Sequence, residues 1–291
     1  MAKTKESESK MADKQVSALI RIEGGIADEG KIDLHDAAGF ISGLARATNI
    51  TAHAFANDGD IRKKAQNAHG VQAYLHSSRK GCFEEQVDIV FDDKTVADVG
   101  HTVLHNVFWD FLTWTWSAAI GIEYEPQTPR VRRFAVNNDV FIDEIADMLE
   151  VPMKHLHKAL EADRKMTMVL SRPRGADILL FTHDSLDYVT TREEKTESEY
   201  IRGNVTRFNV LSNHGRMYSD PEQRVVSFFI VQEDARLKSL AIASMKSKVD
   251  GDDGKLYFKV TKIVSAHGVV KRYHVQDILR AGDMDLLRSS D

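Results

Sequence analysis

Residues 16–55 read VSALIRIEGGIADEGKIDLHDAAGFISGLARATNITAHAF. The stretch divides into a strand, an acidic glycine-rich turn and a long amphipathic helix. Ala18, Ile20 and Ile22 alternate with Leu19, Arg21 and Glu23, the period of a strand with one buried face. From Leu34 the period changes. Leu34, Ala37, Ala38, Ile41, Leu44, Ala45, Thr48, Ala52 and Phe55 form one stripe on a helix of about 3.6 residues per turn. Asp33 is placed to cap it, and Asp36 sits in the first turn, where the helix dipole favours a carboxylate. A strand and a hairpin are expected to pack on this Asp33–Phe55 helix, which makes the fold class α+β.

Two features of the stretch bear on function. Gly24, Gly25 and Gly30 bracket Asp28 and Glu29. A phosphate-binding loop wants bare backbone N–H groups and a cation, whereas these carboxylates repel an anion. A structural turn is expected, with a divalent cation at Asp28 and Glu29 as the functional alternative. Gly39 and Gly43 sit four apart within the helix, at a cost of roughly 1 kcal/mol each relative to alanine. Close approach of another backbone would explain them; the alternative is a ligand groove flanked by Asp36, Arg46 and His53. Asp28, Glu29, Asp36, Arg46 and His53 are therefore the candidate ligand cluster.

The chain has 291 residues, 42% of them hydrophobic, enough for a sizeable core and for two domains on length alone. Its net charge of −5 argues against wholesale coating of nucleic acid or anionic membrane. Residues 1–198 carry 24 Lys/Arg against 32 Asp/Glu, and residues 199–291 carry 15 against 12. That change of sign marks a boundary near Thr196–Glu199. The expected divisions are a disordered tail over 1–15, an α+β domain over 16–190 and a β-rich module over 199–285. The single cysteine, Cys82, allows no intramolecular disulfide and reads as an inert thiol in a reducing compartment. The opening MAKTKESESKMADK lacks the apolar core of a signal peptide, so a cytoplasmic location is expected.

Val71, Ala73 and Leu75, then Phe83, Val87, Ile89 and Phe91, alternate with polar residues around an SRKG turn, which predicts a hairpin. Val103–Ile122, VLHNVFWDFLTWTWSAAIGI, holds all three tryptophans. Asp110 within it would cost on the order of 3 kcal/mol at mid-bilayer, so a core or interface helix is expected and no membrane span. His101 and His105 stand four apart as a metal-pair alternative, but HTVLH lacks the glutamate of a zinc-hydrolase helix. PQTPRVRR breaks the chain, and TTREEKTES (190–198) reads as a charged linker. From Tyr200 onward short β-branched or aromatic runs alternate with turn signals, predicting an antiparallel β-barrel-like module, with a helix over Arg236–Met245. Its Arg202, Arg207, Arg216, Lys259, Lys262, Lys271, Arg272 and Tyr273 are either solvated strand faces or a basic aromatic surface.

Two resemblances follow. RIEGGIADEGKIDLHDAAGFISGLARATNI and GNVTRFNVLSNHGRMY, with VVKRYHV near the end, resemble an uncharacterised bacterial domain family of accessory and mobile loci. The resemblance implies an α+β protein with a C-terminal β module, no established activity and no catalytic residues. IDEIADMLEVPMKHLHKAL (142–160) resembles a helix-turn-helix whose second helix would offer Lys154, His155 and Lys158 to DNA. Glu150 stands where that turn wants glycine, and Glu161 and Asp163 put acids on the reading helix; two ordinary packed helices are the alternative.

No P-loop, nucleophile elbow or paired cysteine ligands occur, so no reaction, cofactor or metal is assigned. The leading expectation is a binding or scaffold protein of an accessory locus, such as phage defence, acting on a protein partner or as a homo-oligomer. A DNA-binding protein using Lys154, His155, Lys158, Arg207, Arg216, Lys271 and Arg272 is the alternative, and an enzyme with a non-sequential site is the third.

Overall fold

A computed structural model describes residues 14–62, 68–76, 83–138, 140–190, 193–194, 197–264, 268 and 270–288. The N-terminal tail up to residue 13, the SRKG turn and Cys82 lie outside the described residues. The chain divides into two compact units, Met1–Thr190 and Thr191–Asp291.

The first unit runs β1 (Gln15–Glu23), α1 (Leu34–Ala56), β2 (Val71–Leu75), β3 (Phe83–Phe91), α2 (Asp93–Val99), α3 (Leu104–Ala119), α4 (Pro129–Asn137), α5 (Phe141–Leu156), β4 (Thr167–Ser171), β5 (Asp177–Phe181) and α6 (His183–Thr190). Its sheet has the order β2-β3-β1-β4-β5, every neighbour antiparallel. β2 and β3 form the predicted hairpin, with Val71 opposite Phe91 and Leu75 opposite Val87. β1 alternates as read, its even residues Val16 to Ile22 buried.

α1 forms where the periodicity placed it, and Asp33 accepts from the His35 and Asp36 N–H groups. Its phase differs in the first turns. Leu34, Ala38, Ile41 and Ala45 are exposed, while Phe40, Gly43, Leu44 and Ala47 are buried. The buried face centres on Gly43, because that glycine admits the backbone of α5. A Cβ there would lie 2.2 Å from Leu156 N and 2.6 Å from Pro152 O.

α5 corrects the helix-turn-helix reading, and the two-helix reading with it. Phe141–Leu156 is one helix that passes through Pro152 and ends in a 3-10 turn, His157–Leu160. The absent Pro152 N–H removes one helical hydrogen bond, but Ile145, Leu149, Met153 and Leu156 are fully buried on one side of the helix and hold its course. After the 3-10 turn the chain enters β4 at Thr167.

α3 is the buried tryptophan helix expected: Trp109, Trp114 and Trp116 are all buried. Trp116 Nε1 donates to Thr51 Oγ1 of α1 at 2.9 Å, so the polar end of a core ring has a partner. Phe55 meets Phe91, Phe108 and Phe111, and Phe91 meets Phe108, in edge-on and tilted pairs.

The second unit contains β6 (Glu193–Glu194), β7 (Glu199–Phe208), β8 (His214–Ser219), β9 (Arg224–Ile230), α7 (Ala235–Val249), β10 (Leu256–Val264), β11 (Val270–Leu279) and α8 (Ala281–Arg288). The strands run β11-β9-β8-β7-β10, and β10 pairs again with β11, closing five strands into a barrel. β9 and β11 are parallel, which corrects the all-antiparallel expectation. The connection from β9 passes through α7 and β10 before β11, long enough for a parallel return. Leu237 and Ala241 of α7 are buried in the barrel core, and Ser244 Oγ accepts the Val205 N–H at 3.0 Å. The charged linker is also not wholly irregular, since β6 within it pairs with the end of β10.

Candidate nucleic-acid interface

The five residues of the candidate ligand cluster do not form one site. Asp36 and His53 lie seventeen residues apart on α1, about 25 Å along its axis. Asp28 accepts the Gly24 N–H at 2.7 Å within its own turn, and Glu29 pairs with Lys31 at 2.8 Å. Arg46 is exposed. His53 is buried, and its Nδ1 accepts the His69 backbone N–H at 3.0 Å. The ring proton is then on Nε2, facing Asp60 Oδ2 at 3.2 Å. With both nitrogens engaged, His53 ties the end of α1 to the segment before β2, and it has no lone pair left for a substrate.

Other constellations with catalytic-looking geometry are also structural. His157 Nε2 lies 2.8 Å from Ser185 Oγ, and Nδ1 lies 2.7 Å from the Met153 carbonyl. That is the arrangement of a base and a nucleophile, but both side chains are buried. Ser185 Oγ also bonds the Thr182 N–H and carbonyl at 2.9 and 2.8 Å, so the pair joins the end of α5 to the start of α6. Burial lowers the His157 pKa to about 4.

Asp110, buried in α3, accepts from Tyr124 OH and Gln127 N–H at 2.8 Å, and from the Thr128 N–H and hydroxyl at 2.6 Å. These bonds fasten the 121–128 segment to the helix. Burial and then the bond to Asp110 push the Tyr124 hydroxyl up to about 12. Asp110→Ala strands these donors, with an expected loss of about 3 kcal/mol; urea unfolding that shows less than a third of this loss would assign the anchoring elsewhere.

His101 precedes α3 while His105 is in its first turn, so the two do not share a helix face. Among the described residues no three His, Cys, Asp or Glu side chains gather as a metal ion would need. No helix among them is long and apolar enough to cross a membrane.

Of the proposed DNA contacts on α5 and its 3-10 turn, Lys154 is exposed and His155 half-buried. Lys158 pairs with Glu161 at 2.6 Å, and its stem lies over Gly39. All three lie at the end of one continuous helix and its 3-10 turn, without the second helix that the motif requires.

The barrel brings the others into register. Arg207 on β7 stands opposite Arg216 on β8; Arg216 stands opposite Ser227 on β9; Ser227 neighbours Arg272 on β11. Val205, Met217, Phe228 and Tyr273 are buried in the core, so this line of residues is on the outer wall. Arg207 is exposed and Arg216 half-buried, but Arg272 is buried, 8% exposed. Lys271 is half-buried at the bulge between Val270 and Arg272 and has no cross-strand place in the line. Arg207 and Arg216 are in cross-strand register, at the spacing of adjacent strands, about 5 Å.

Beside it runs a second line, which the sequence reading missed. His214 stands opposite Phe229, and Phe229 neighbours His274. The His214 and Phe229 ring centroids are 4.8 Å apart, and those of Phe229 and His274 are 6.3 Å apart. All three are half-buried. The signal was present: HGRMYS and RVVSFFI each place polar or aromatic residues at alternate positions, and neither strand contains an acid. The preceding 209–213 turn carries Leu211 at 93% exposure. Elsewhere on the barrel Arg202 pairs with Asp253 at 2.7 Å and Lys262 with Glu199 at 2.8 Å.

Residues 18–190, more than half of the chain, match the domain of unknown function DUF7946, and residues 197–279 match the family of unknown function DUF7947. No curated protein and no solved structure matches. The chain belongs to the DUF7946 family.

Proposed function

We propose that this member of the DUF7946 family is a binding protein whose second unit holds nucleic acid on the outer wall of β8 and β9. The observation that carries the reading is the Arg207–Arg216 pair lying beside the His214–Phe229–His274 line, where the two middle strands, β8 and β9, contain no acid. Five-stranded Greek-key barrels bind oligonucleotides and oligosaccharides on the face of their second and third strands, which here are β8 and β9. That is an analogy of fold and names no ligand. Paired guanidinium groups favour the phosphate-bearing candidate.

Fluorescence anisotropy with labelled oligonucleotides at about 50 mM salt tests it. Binding should weaken steeply as salt rises, and Arg207→Glu with Arg216→Glu should abolish it without lowering the thermal midpoint. A flat titration of the wild type removes the reading.

A second reading concerns a protein partner or a second copy of the chain. β2 is an edge of its sheet and exposes Tyr74 and Leu75, each about half; such an edge accepts an added strand. Strict monomers in light scattering at micromolar concentration would remove the homo-oligomer. The bacterial accessory locus and the phage-defence role belong to this proposal through the sequence resemblance, and neighbouring genes without defence or mobility functions would count against them; the cytoplasmic location belongs to it through the single cysteine.

A further inference from the structure

Resting on the reading of β2 as an edge that accepts a strand, we infer that its occupant is β2 of a second copy of this chain, paired antiparallel about a two-fold axis at Ala73. The hydrogen bonds of the hairpin show which backbone groups are open. The His76 N–H donates to the Gln86 carbonyl at 2.9 Å, and the Asp92 N–H to the Gly70 carbonyl at 2.8 Å. Hydrogen-bonded residues alternate along an antiparallel pair, so Gly70, Gln72, Tyr74 and His76 turn their main chains toward β3. Val71, Ala73 and Leu75 turn theirs away from it. Among the described residues no strand lies beyond β2, and their N–H and C=O groups face outward.

The side chains agree. Val71, Ala73 and Leu75 stand opposite Phe91, Ile89 and Val87 on the core side of the sheet. Val71 is buried, but Ala73 is exposed and Leu75 is 48% exposed, so the apolar layer stops short at this edge. On the other side Tyr74 is 49% exposed. The strand reads VQAYL, with no charge, proline or bulge. Of the usual devices that blunt an edge it has only shortness.

β2 is also its own complement. A two-fold axis at Ala73 sets that residue against the partner's Ala73, Leu75 against the partner's Val71, and Tyr74 against the partner's Gln72. Apolar residues meet apolar ones, and no charge meets a charge. Each opposed pair of outward-facing residues exchanges two backbone hydrogen bonds, and the two sheets become one. Such an isologous contact needs no other protein. So short a strand buries less than the roughly 1,000 Å² of a stable interface, and the dimer dissociates on dilution.

Light scattering of the full chain between about 1 and 100 µM, the range of weak complexes, is expected to show the mass rising toward that of a dimer. Ala73→Pro removes an N–H that the monomer does not use. It should weaken dimerisation about tenfold or more, for the two bonds lost at the axis, and leave the thermal midpoint unchanged, because proline is tolerated where an edge N–H faces solvent. Tyr74→Pro, which removes an N–H turned toward β3, should instead lower the midpoint. In a Cys82→Ser background, Ala73→Cys should form an intersubunit disulfide, since opposed hydrogen-bonded residues have Cα atoms about 5.5 Å apart, within disulfide reach. Amide hydrogen exchange at Ala73 and Leu75 should slow as concentration rises. Should Ala73→Pro lower the midpoint, the cross-link and the exchange rates give the same readout.

Monomers throughout the range, with fast exchange at Ala73 and Leu75, overturn the second copy as occupant and leave the edge reading standing for a strand of another protein. Monomers with slow exchange at both positions overturn the edge reading as well, because the edge is then covered within one chain. A dimer indifferent to Ala73→Pro that does not cross-link through Ala73→Cys pairs elsewhere, and it too overturns the inference.

Discussion

Gly43→Ala is expected to destabilise the first unit by about 3 kcal/mol, whereas Gly39→Ala, one turn earlier on α1, is expected to cost about 1 kcal/mol or less. Alanine gains roughly 1 kcal/mol of helix propensity over glycine at either position, so the difference between the two lies in what the new methyl meets. At Gly43 it would lie 2.2 Å from Leu156 N, 2.6 Å from Pro152 O and 2.7 Å from His155 C. All three are backbone atoms of α5, and relief requires the helices to separate. That opens the contact holding Leu44, Ala47, Met153 and Leu156 in the core. Overpacking a well-filled core costs typically 1–3 kcal/mol, occasionally more, and a backbone obstacle belongs at the upper end. At Gly39 the methyl would meet Lys158 Cγ at 2.9 Å and Cβ at 3.1 Å, atoms at the root of one side chain, which must shift slightly but do not force the two helix backbones apart. Urea unfolding of both variants decides it. Equal midpoints for Gly43→Ala and the wild type would mean that α1 and α5 do not cross as closely as their backbones indicate.

The same crossing explains what the sequence could and could not disclose. The existence, ends and cap of α1 follow from local rules: a period near 3.6, an aspartate at the N-cap, and acid in the first turn. The buried side does not. A hydrophobicity pattern weights Leu34 and Ile41, yet both are exposed, because the face chosen by packing is the one where Gly43 lets a second helix come close. Only the partner supplies that information. α5 failed in the opposite way. Pro152 is a local signal for a break, but buried residues on both sides of it outweigh one lost hydrogen bond.

On the barrel the alternation of β8 and β9 was readable, as was their freedom from acids. Which arginines share a line was not. Arg207 and Arg216 meet through a register set by a bulge between Val205 and Arg207, and Arg272 is buried although its sequence surroundings are as polar as theirs. The proposed ligand cluster on Asp28, Asp36 and His53 failed for a simpler reason. A helix of 23 residues is a ruler, and side chains near its two ends cannot share a ligand.

His157 should make the first unit acid-sensitive, and the direction follows from its burial. In the unfolded chain its imidazole takes a proton near pH 6.5. In the folded protein, enclosed by Met153, Ser185 and the edge of the Phe181 ring, desolvation first and the neighbouring His183 charge after it hold the pKa down to about 4, against the opposing bond to the Met153 carbonyl. Between those values the unfolded chain binds more protons than the folded one, so stability is complete above about pH 6.5 and is lost as the pH falls toward 4. The loss reaches about 3 kcal/mol at pH 4. That is a large part of the stability of an ordinary domain. The charged ring would be driven from its pocket, and the α5–α6 junction should open before the rest of the core. His157→Gln, which cannot titrate, should be less stable than the wild type at pH 7 for want of the fitted ring, but should lose about 3 kcal/mol less between pH 7 and 4. Urea unfolding at several pH values, followed by tryptophan fluorescence, measures both curves; all three tryptophans are in α3 of this unit. If the wild type and His157→Gln decline in parallel, the imidazole is already protonated or already solvated in the folded state, and the acid sensitivity belongs to other groups.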